Sequence, residues 1–204
     1  MSENFENILS EHFTLSPQQR DMLTATKALY EHWNAQINVI SRKDMEHFYE
    51  HHVLHSLGIA LFKQFEAGQR VIDVGTGGGF PGLPLAILFP ETEFVLNDSI
   101  GKKLKVAQGV ADELGIKNVR TLHARSGDVR DTFDAVLGRA VKNIPEFYAF
   151  TRHLLKPGAA YWYLKGGDFA EELVQVPMHS KVMELYPYFK TEFFETKKVV
   201  HMWP

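Results

Sequence analysis

Residues 71–82, VIDVGTGGGFPG, constrain this chain more than any other segment. A short apolar strand runs into Gly75, Gly77, Gly78 and Gly79, and an apolar helical segment, LPLAILF, follows and stops at Pro90. Glycine has no Cβ, so the chain can turn tightly there and a ligand can approach the backbone. The alternation then continues. EFVLND reads as a strand, and Ile100, Leu104, Ala107, Val110, Ala111 and Leu114 mark an amphipathic helix stopped by Gly115. NVRTLHA, FDAVLG and AAYWYL read as strands, with a helix over about residues 145–155 between the last two. Residues 181–203 read as two strands of a terminal hairpin. Strands separated by helical patterns of this length imply an α/β domain with a doubly wound, mostly parallel sheet and crossover helices.

Residues 1–67 have a different pattern. Met22, Leu23, Leu29, Tyr30 and Trp33 recur at helical spacing, with Ser16 placed as an N-cap before Pro17. A second helix is expected over about residues 44–65. The chain therefore divides into an N-terminal helical extension, 1–67, packed on an α/β domain, 68–204.

Residues 77–82 formally spell GxGxxG, a spacing that dinucleotide enzymes share. Pro81 and Pro84, however, remove two N–H donors from the first helical turn, where a pyrophosphate would sit. Asp73 completes Asp-x-Gly-x-Gly-x-Gly, the pattern of S-adenosylmethionine loops, whose ligand carries a sulfonium and an amino group that favour a nearby carboxylate. Asp98, at the end of the second strand, is placed to accept hydrogen bonds from ribose hydroxyls or to cap the next helix.

Composition removes other classes. The 204 residues include no cysteine, which excludes disulfides, zinc ribbons and thiolate nucleophiles. The acidic opening MSENFENILSEHF lacks the pattern of a signal peptide, and the apolar run 83–89 is far short of the ~20 residues that span a bilayer. A cytoplasmic protein without a membrane segment is expected. The net charge of −3 gives no global attraction to nucleic acid, although bases slightly outnumber acids from Arg70 to Asp168. His47, His51 and His55 are spaced to share a helix face, but no acidic or histidine partner completes a ligand set, and no metal is expected.

At this level of detail the chain resembles the bacterial 16S ribosomal RNA guanine-N7 methyltransferases, the glucose-inhibited division protein B family. The resemblance is carried by WNAQIN (33–38), HVLHS (52–56), DVGTGGGFPGLPLA (73–86), NDSIGKK (97–103), GRA (138–140) and LKG (164–166). It implies the class I S-adenosylmethionine-dependent methyltransferase fold, Rossmann-like with seven strands, the last antiparallel. It also implies S-adenosylmethionine as cofactor, with contacts from Gly75, Phe80, Ser126, Gly127 and Arg139, and with Gly77 and Asp98 in the same pocket. The implied partner is 16S rRNA or the small ribosomal subunit. A monomer is expected, since no long exposed apolar helix in the sequence demands a partner. The chain departs from the family at His55, usually Asp, at Gly127, usually acidic, and at HMWP (201–204), which lacks the basic ending typical of relatives; Lys197 and Lys198 are the candidates to stand in for it.

Guanine N7 carries a free lone pair and no proton, so its methylation needs alignment and charge relief rather than a general base. Arg139 and Lys165, at the C-terminal ends of neighbouring central strands, are the catalytic candidates beside the base, where a cation can meet guanine O6. Lys102, Lys103, Lys105, Arg120, Arg125, Arg130 and Lys142 are candidates for phosphate contact. The competing readings are a methyltransferase with a non-ribosomal acceptor, a cofactor- or RNA-binding module without turnover, and a nicotinamide oxidoreductase.

Overall fold

The structure, a computed structural model, describes residues 3–204. Seven strands form one sheet: β1 Arg70–Val74, β2 Glu93–Asp98, β3 Val119–His123, β4 Phe133–Arg139, β5 Leu155–Gly166, β6 His179–Glu184 and β7 Lys197–Trp203. Their order is β3-β2-β1-β4-β5-β7-β6. The pairs from β3 to β5 are parallel, and β7 is antiparallel to both β5 and β6. The chain reverses direction across the sheet at β1, between β2 and β4, which is the switch point where ligands of α/β sheets sit.

Successive strand residues feed opposite faces, as the twofold pleat requires. Val71, Leu96, Leu137 and Leu164 belong to one core, shared with α5 (Gly82–Leu88) and α6 (Gly101–Glu113) and with the N-terminal helices. Ile72, Val95, Val136 and Tyr163 belong to the other, closed by α7 (Ile144–Thr151) and α8 (Ala170–Leu173).

The N-terminal region begins with α1 (Glu3–His12) and α2 (Pro17–Asn34). Ser16 caps α2 as expected: its hydroxyl accepts the Gln19 N–H at 3.2 Å while Gln19 Oε1 accepts the Ser16 N–H at 2.9 Å. The same Gln19 gives its amide hydrogens to the Ile87 and Leu88 carbonyls, both at 3.0 Å, at the end of α5. Asn34 closes the turn after α2, accepting the Val39 and Ile40 N–H groups and donating to the Ile40 carbonyl. Trp33 donates to Glu113 at 2.7 Å and lies against Gly109, where a Cβ would come within 2.1 Å of its ring.

Three expectations need correction. The continuous helix over 44–65 is instead α3 (Arg42–Glu46), a π-helical turn (Tyr49–Leu54), the short α4 (His55–Leu57) and a 3₁₀ turn (Gly58–Leu61). His47 leaves helical geometry at φ −104°, ψ 24°, and the wide turn behind it aims the His51 carbonyl and His52 ring at Arg139. Second, β5 starts at Leu155, ahead of the AAYWYL run, because Leu155 already pairs with Phe133 before the register shifts across Pro157 and Gly158; α7 and the 3₁₀ turn Arg152–Leu154 fill the expected helix before it. Third, β6 and β7 pair antiparallel but are joined by α9 (Tyr186–Phe189) and a 3₁₀ turn (Glu192–Thr196). Leu185, Phe189 and Phe194 are buried there, so this connection is part of the core and not a tight hairpin turn.

Candidate active site

The glycine loop leaves β1 through three left-handed positions, Gly75 (φ +68°), Gly77 (φ +57°) and Gly79 (φ +107°), conformations that side chains beyond glycine rarely adopt. Asp73, fully buried at the end of β1, holds the loop: its Oδ2 accepts the Thr76 hydroxyl at 2.6 Å and the Gly82 N–H at 2.8 Å. Burial pushes its carboxyl up to about 6, against the pull of those two hydrogen bonds. Its other oxygen, Oδ1, is buried and has no hydrogen-bond partner among the described residues. Tyr30, from α2, gives its hydroxyl to the Gly78 carbonyl at 2.5 Å, so the extension reaches directly onto the loop.

Asp98 ties the glycine loop to the approach of α6. Its Oδ2 accepts the Gly77 N–H at 2.9 Å and its Oδ1 the Ile100 N–H at 2.8 Å, which fixes the loop to the start of α6. Each oxygen keeps a second lone pair, and Asp98 borders an open cleft of about 510 Å³ together with Gly75, Arg125, Ser126, Gly127 and Lys142. Ser126 and Gly127 lie just past β3 in a 3₁₀ turn, where the Ser126 hydroxyl donates to Asn97 Oδ1 at 3.1 Å. A Cβ on Gly77 or on Gly127 would meet nothing within 4 Å.

Of the residues expected to touch the cofactor, this cleft brings together Gly75, Asp98, Ser126 and Gly127. Phe80 and Arg139 are elsewhere. Phe80 is only 3% exposed, enclosed by Tyr30, Phe48 and His52 with ring centroids at 4.9, 5.9 and 5.0 Å. The Arg139 guanidinium lies over the Phe80 ring at 5.3 Å. It donates to the His51 carbonyl at 2.9 Å and to His52 Nδ1 at 3.1 Å, and it forms no ion pair among the described residues. Burial lowers its pKa to about 10, which leaves it cationic at neutral pH. By accepting from Arg139, His52 is fixed with its proton on Nε2, and burial and that neighbouring cation drive its pKa down to about 3.

A second cavity, about 330 Å³, opens beside Arg139 and includes His55, Lys142, Tyr163, Lys165 and Lys197. Lys165 pairs with Glu172 at 2.9 Å, and Glu172 also accepts the Ile144 N–H that opens α7. Lys142 borders both cavities. The strip between them, residues 140–142, is held by Tyr163, whose hydroxyl accepts the Val141 and Lys142 N–H groups and donates to the Lys142 carbonyl at 2.8 Å. Ala140 in this strip has φ +54°, a strained value for a residue with a Cβ. Tyr163 is marked by no motif and takes its position from the register of β5 against β4; His52 opens the HVLHS motif, and the π-helical turn aims it at Arg139.

Among the phosphate candidates, Arg120 is engaged with Glu93 at 2.7 Å and with Asp131 at 3.4 Å. Lys102 and Lys105 instead border an open cleft with Trp33 and His123.

The sheet order, the glycine loop at the end of β1 and the acid at the end of β2 define a class I S-adenosylmethionine-dependent methyltransferase. The residues fit that cofactor: Asp73 Oδ1 is a buried acceptor without a partner among the described residues, and the backbone at Gly77 and Gly127 is open to a ligand. The chain is similar in fold to a putative O-methyltransferase from Nostoc punctiforme (TM-score 0.61, 12% identity, 98% of this chain and 71% of that one). It is likewise similar to a SAM-dependent methyltransferase from Aquifex aeolicus (TM-score 0.59, 16% identity, 80% of this chain and 98% of that one). Within this class the chain belongs to the GidB family, rRNA small subunit methyltransferase G, whose model matches residues 19–200. Relatives named ribosomal RNA small subunit methyltransferase G include one from Flavobacterium psychrophilum, 50% identical over 97% of each chain. Another, from Porphyromonas gingivalis, is 48% identical over 96% of this chain and 92% of its own.

Proposed function

We propose that this protein transfers a methyl group from S-adenosylmethionine to N7 of a guanine in 16S rRNA, on the small ribosomal subunit in the cytoplasm. The observation that carries the reading is the pair of cavities at the C-terminal edge of the sheet, separated only by residues 140–142. One is lined by ribose- and adenine-type partners and the other by cations. The relatives' names and the collinear family match supply the substrate class. S-adenosylmethionine, when bound, supplies an electrophilic methyl group on a sulfonium.

The chain's own residues have the following roles in this reading. Asp98 accepts ribose hydroxyls with its remaining lone pairs, Gly75 and Gly77 admit the cofactor to the backbone, and Ser126 and Gly127 border the adenine. Asp73 Oδ1 faces positive charge on the amino-acid end. Arg139 and Lys165 orient the base through its O6 edge, and the positive charge that N7 gains on methylation is the charge that the sulfonium loses. The second cavity contains no carboxylate that could act as a base, in keeping with a nucleophile that has no proton to lose. Holding acceptor and methyl in line is the main source of acceleration, and such positioning is worth roughly 7–11 kcal/mol.

The test uses purified protein, methyl-labelled S-adenosylmethionine and small subunits lacking the modification, followed by chemical cleavage at N7-methylguanine. Label at one guanine of 16S rRNA is the expected result. Cofactor binding without label in the RNA would overturn the assignment of substrate.

A further inference from the structure

The sequence spacing aligns His47, His51 and His55, but the interrupted helix separates them. His55 is buried beside Phe193 and Phe194, while His47 and His51 remain together and gain Glu50 as a neighbour. One ligand atom from each of His47, Glu50 and His51 lies within 4.8 Å of the others. Glu50, three residues beyond His47, is the acidic partner left unassigned in the sequence.

The atoms on the far side of these ligands are already engaged. His51 Nδ1 lies 3.1 Å from Asp44 Oδ1, which leaves Nε2 as the lone-pair nitrogen, 3.8 Å from Glu50 Oε2. The other Glu50 oxygen accepts the Thr191 hydroxyl. Phe193 stacks on the His51 ring at 4.0 Å and fixes its plane, and Ser41 in turn donates to Asp44 at 3.0 Å. A histidine tied through its second nitrogen to a carboxylate is the outer-shell arrangement that orients metal ligands and raises their basicity.

We propose that His47, Glu50 and His51 bind one divalent transition-metal ion of the zinc class, with Asp44 and Thr191 orienting the ligands. Two imidazoles and a carboxylate suit zinc, nickel or cobalt, whereas magnesium and calcium require oxygen donors. Tetrahedral zinc needs its ligand atoms about 3.3 Å apart, so the three must close inward, and His47, exposed at the end of α3, has room to turn. A fourth position stays open to solvent. The ion ties residues 44–51 to residue 191, and Arg139 hangs from this same turn through the His51 carbonyl.

The test is calorimetric titration of tag-free, full-length protein with zinc chloride and separately with magnesium chloride. Saturable binding of one zinc per chain, no magnesium binding and a zinc-dependent rise in melting temperature are expected. His47→Ala and His51→Ala should abolish the binding, Asp44→Asn should weaken it roughly 10- to 100-fold, and His179→Ala, on an exposed strand residue, should leave it unchanged. Circular dichroism verifies that each variant is folded, and the exposed His47→Ala provides the variant least coupled to the core. Absence of saturable zinc binding in the wild type, or binding that survives His47→Ala, would overturn the proposal. The readout does not involve methyl transfer, so failure here leaves the enzymatic reading untouched.

Discussion

Arg139 has two of its nitrogens committed to a carbonyl and an imidazole from the N-terminal region, and its charge faces a cavity. A lysine at this position supplies the charge but not a planar fork that holds both acceptors at once. Arg139→Lys and Arg139→Ala are therefore both expected to lower kcat by roughly 10²-fold, the usual cost of one lost electrostatic donor, while KM for the cofactor moves less. Kinetics over a range of cofactor concentrations checks this; a cofactor KM that rises as much as kcat falls would assign Arg139 to cofactor binding instead. The buried groups also set a pH dependence. His52 and His55 stay neutral in the fold but take up protons when unfolded, so each costs stability as pH falls below about 6.5. Asp73, raised to about 6, works in the opposite sense: between about 4 and 6 it is protonated in the fold and ionised when unfolded, and it gains stability as pH falls. Two losses outweigh one gain, so the urea midpoint should drop between pH 6.5 and 4.5, and Asp73→Asn should steepen the drop below pH 6. The glycines and Asp98 were legible in the sequence because backbone geometry demands those residue types. The role of Tyr163 was not, since it arises from strand register; His52 lies in a quoted motif, but its contact with Arg139 arises from a wide turn that no local pattern announces.

Gln19 operates at the scale of elements: one side chain closes the start of α2 and the end of α5. Ser16→Ala removes the reciprocal cap alone and should cost about 1 kcal/mol. Gln19→Ala also strips partners from the Ile87 and Leu88 carbonyls and should cost more, about 2 kcal/mol, measured by urea denaturation. Equal losses would mean that solvent satisfies those carbonyls once the amide is gone. Strand identity was readable here because the central strands are continuous apolar runs, buried on both faces. The helix over 44–65 was misread because its apolar spacing survives the interruption. Val53, Leu54 and Leu57 are buried, as the apolar pattern requires, although the turn that carries the first two is π-helical. The connection between β6 and β7 was misread for the opposite reason: Leu185, Phe189 and Phe194 serve the core and not the sheet, so their pattern does not resemble a turn.

For the whole molecule, we propose that residues 1–67 and 68–204 form a single folding unit despite their different patterns. Leu23, Tyr30, Phe48 and Leu57 share one core with Phe80, Leu83 and Leu164. A chain starting at residue 68 is expected to lose its cooperative thermal transition, because Phe80 and the outer face of α5 would then be exposed. A sharp melt in circular dichroism for that fragment would refute this. The sheet order has a further consequence during synthesis. Strand β6 pairs only with β7, yet β7 leaves the ribosome after it and must enter between β6 and β5, both already made. Until then the nascent chain presents two unsatisfied strand edges, β5 and β6, so the interval between the synthesis of β6 and that of β7 is prone to aggregation.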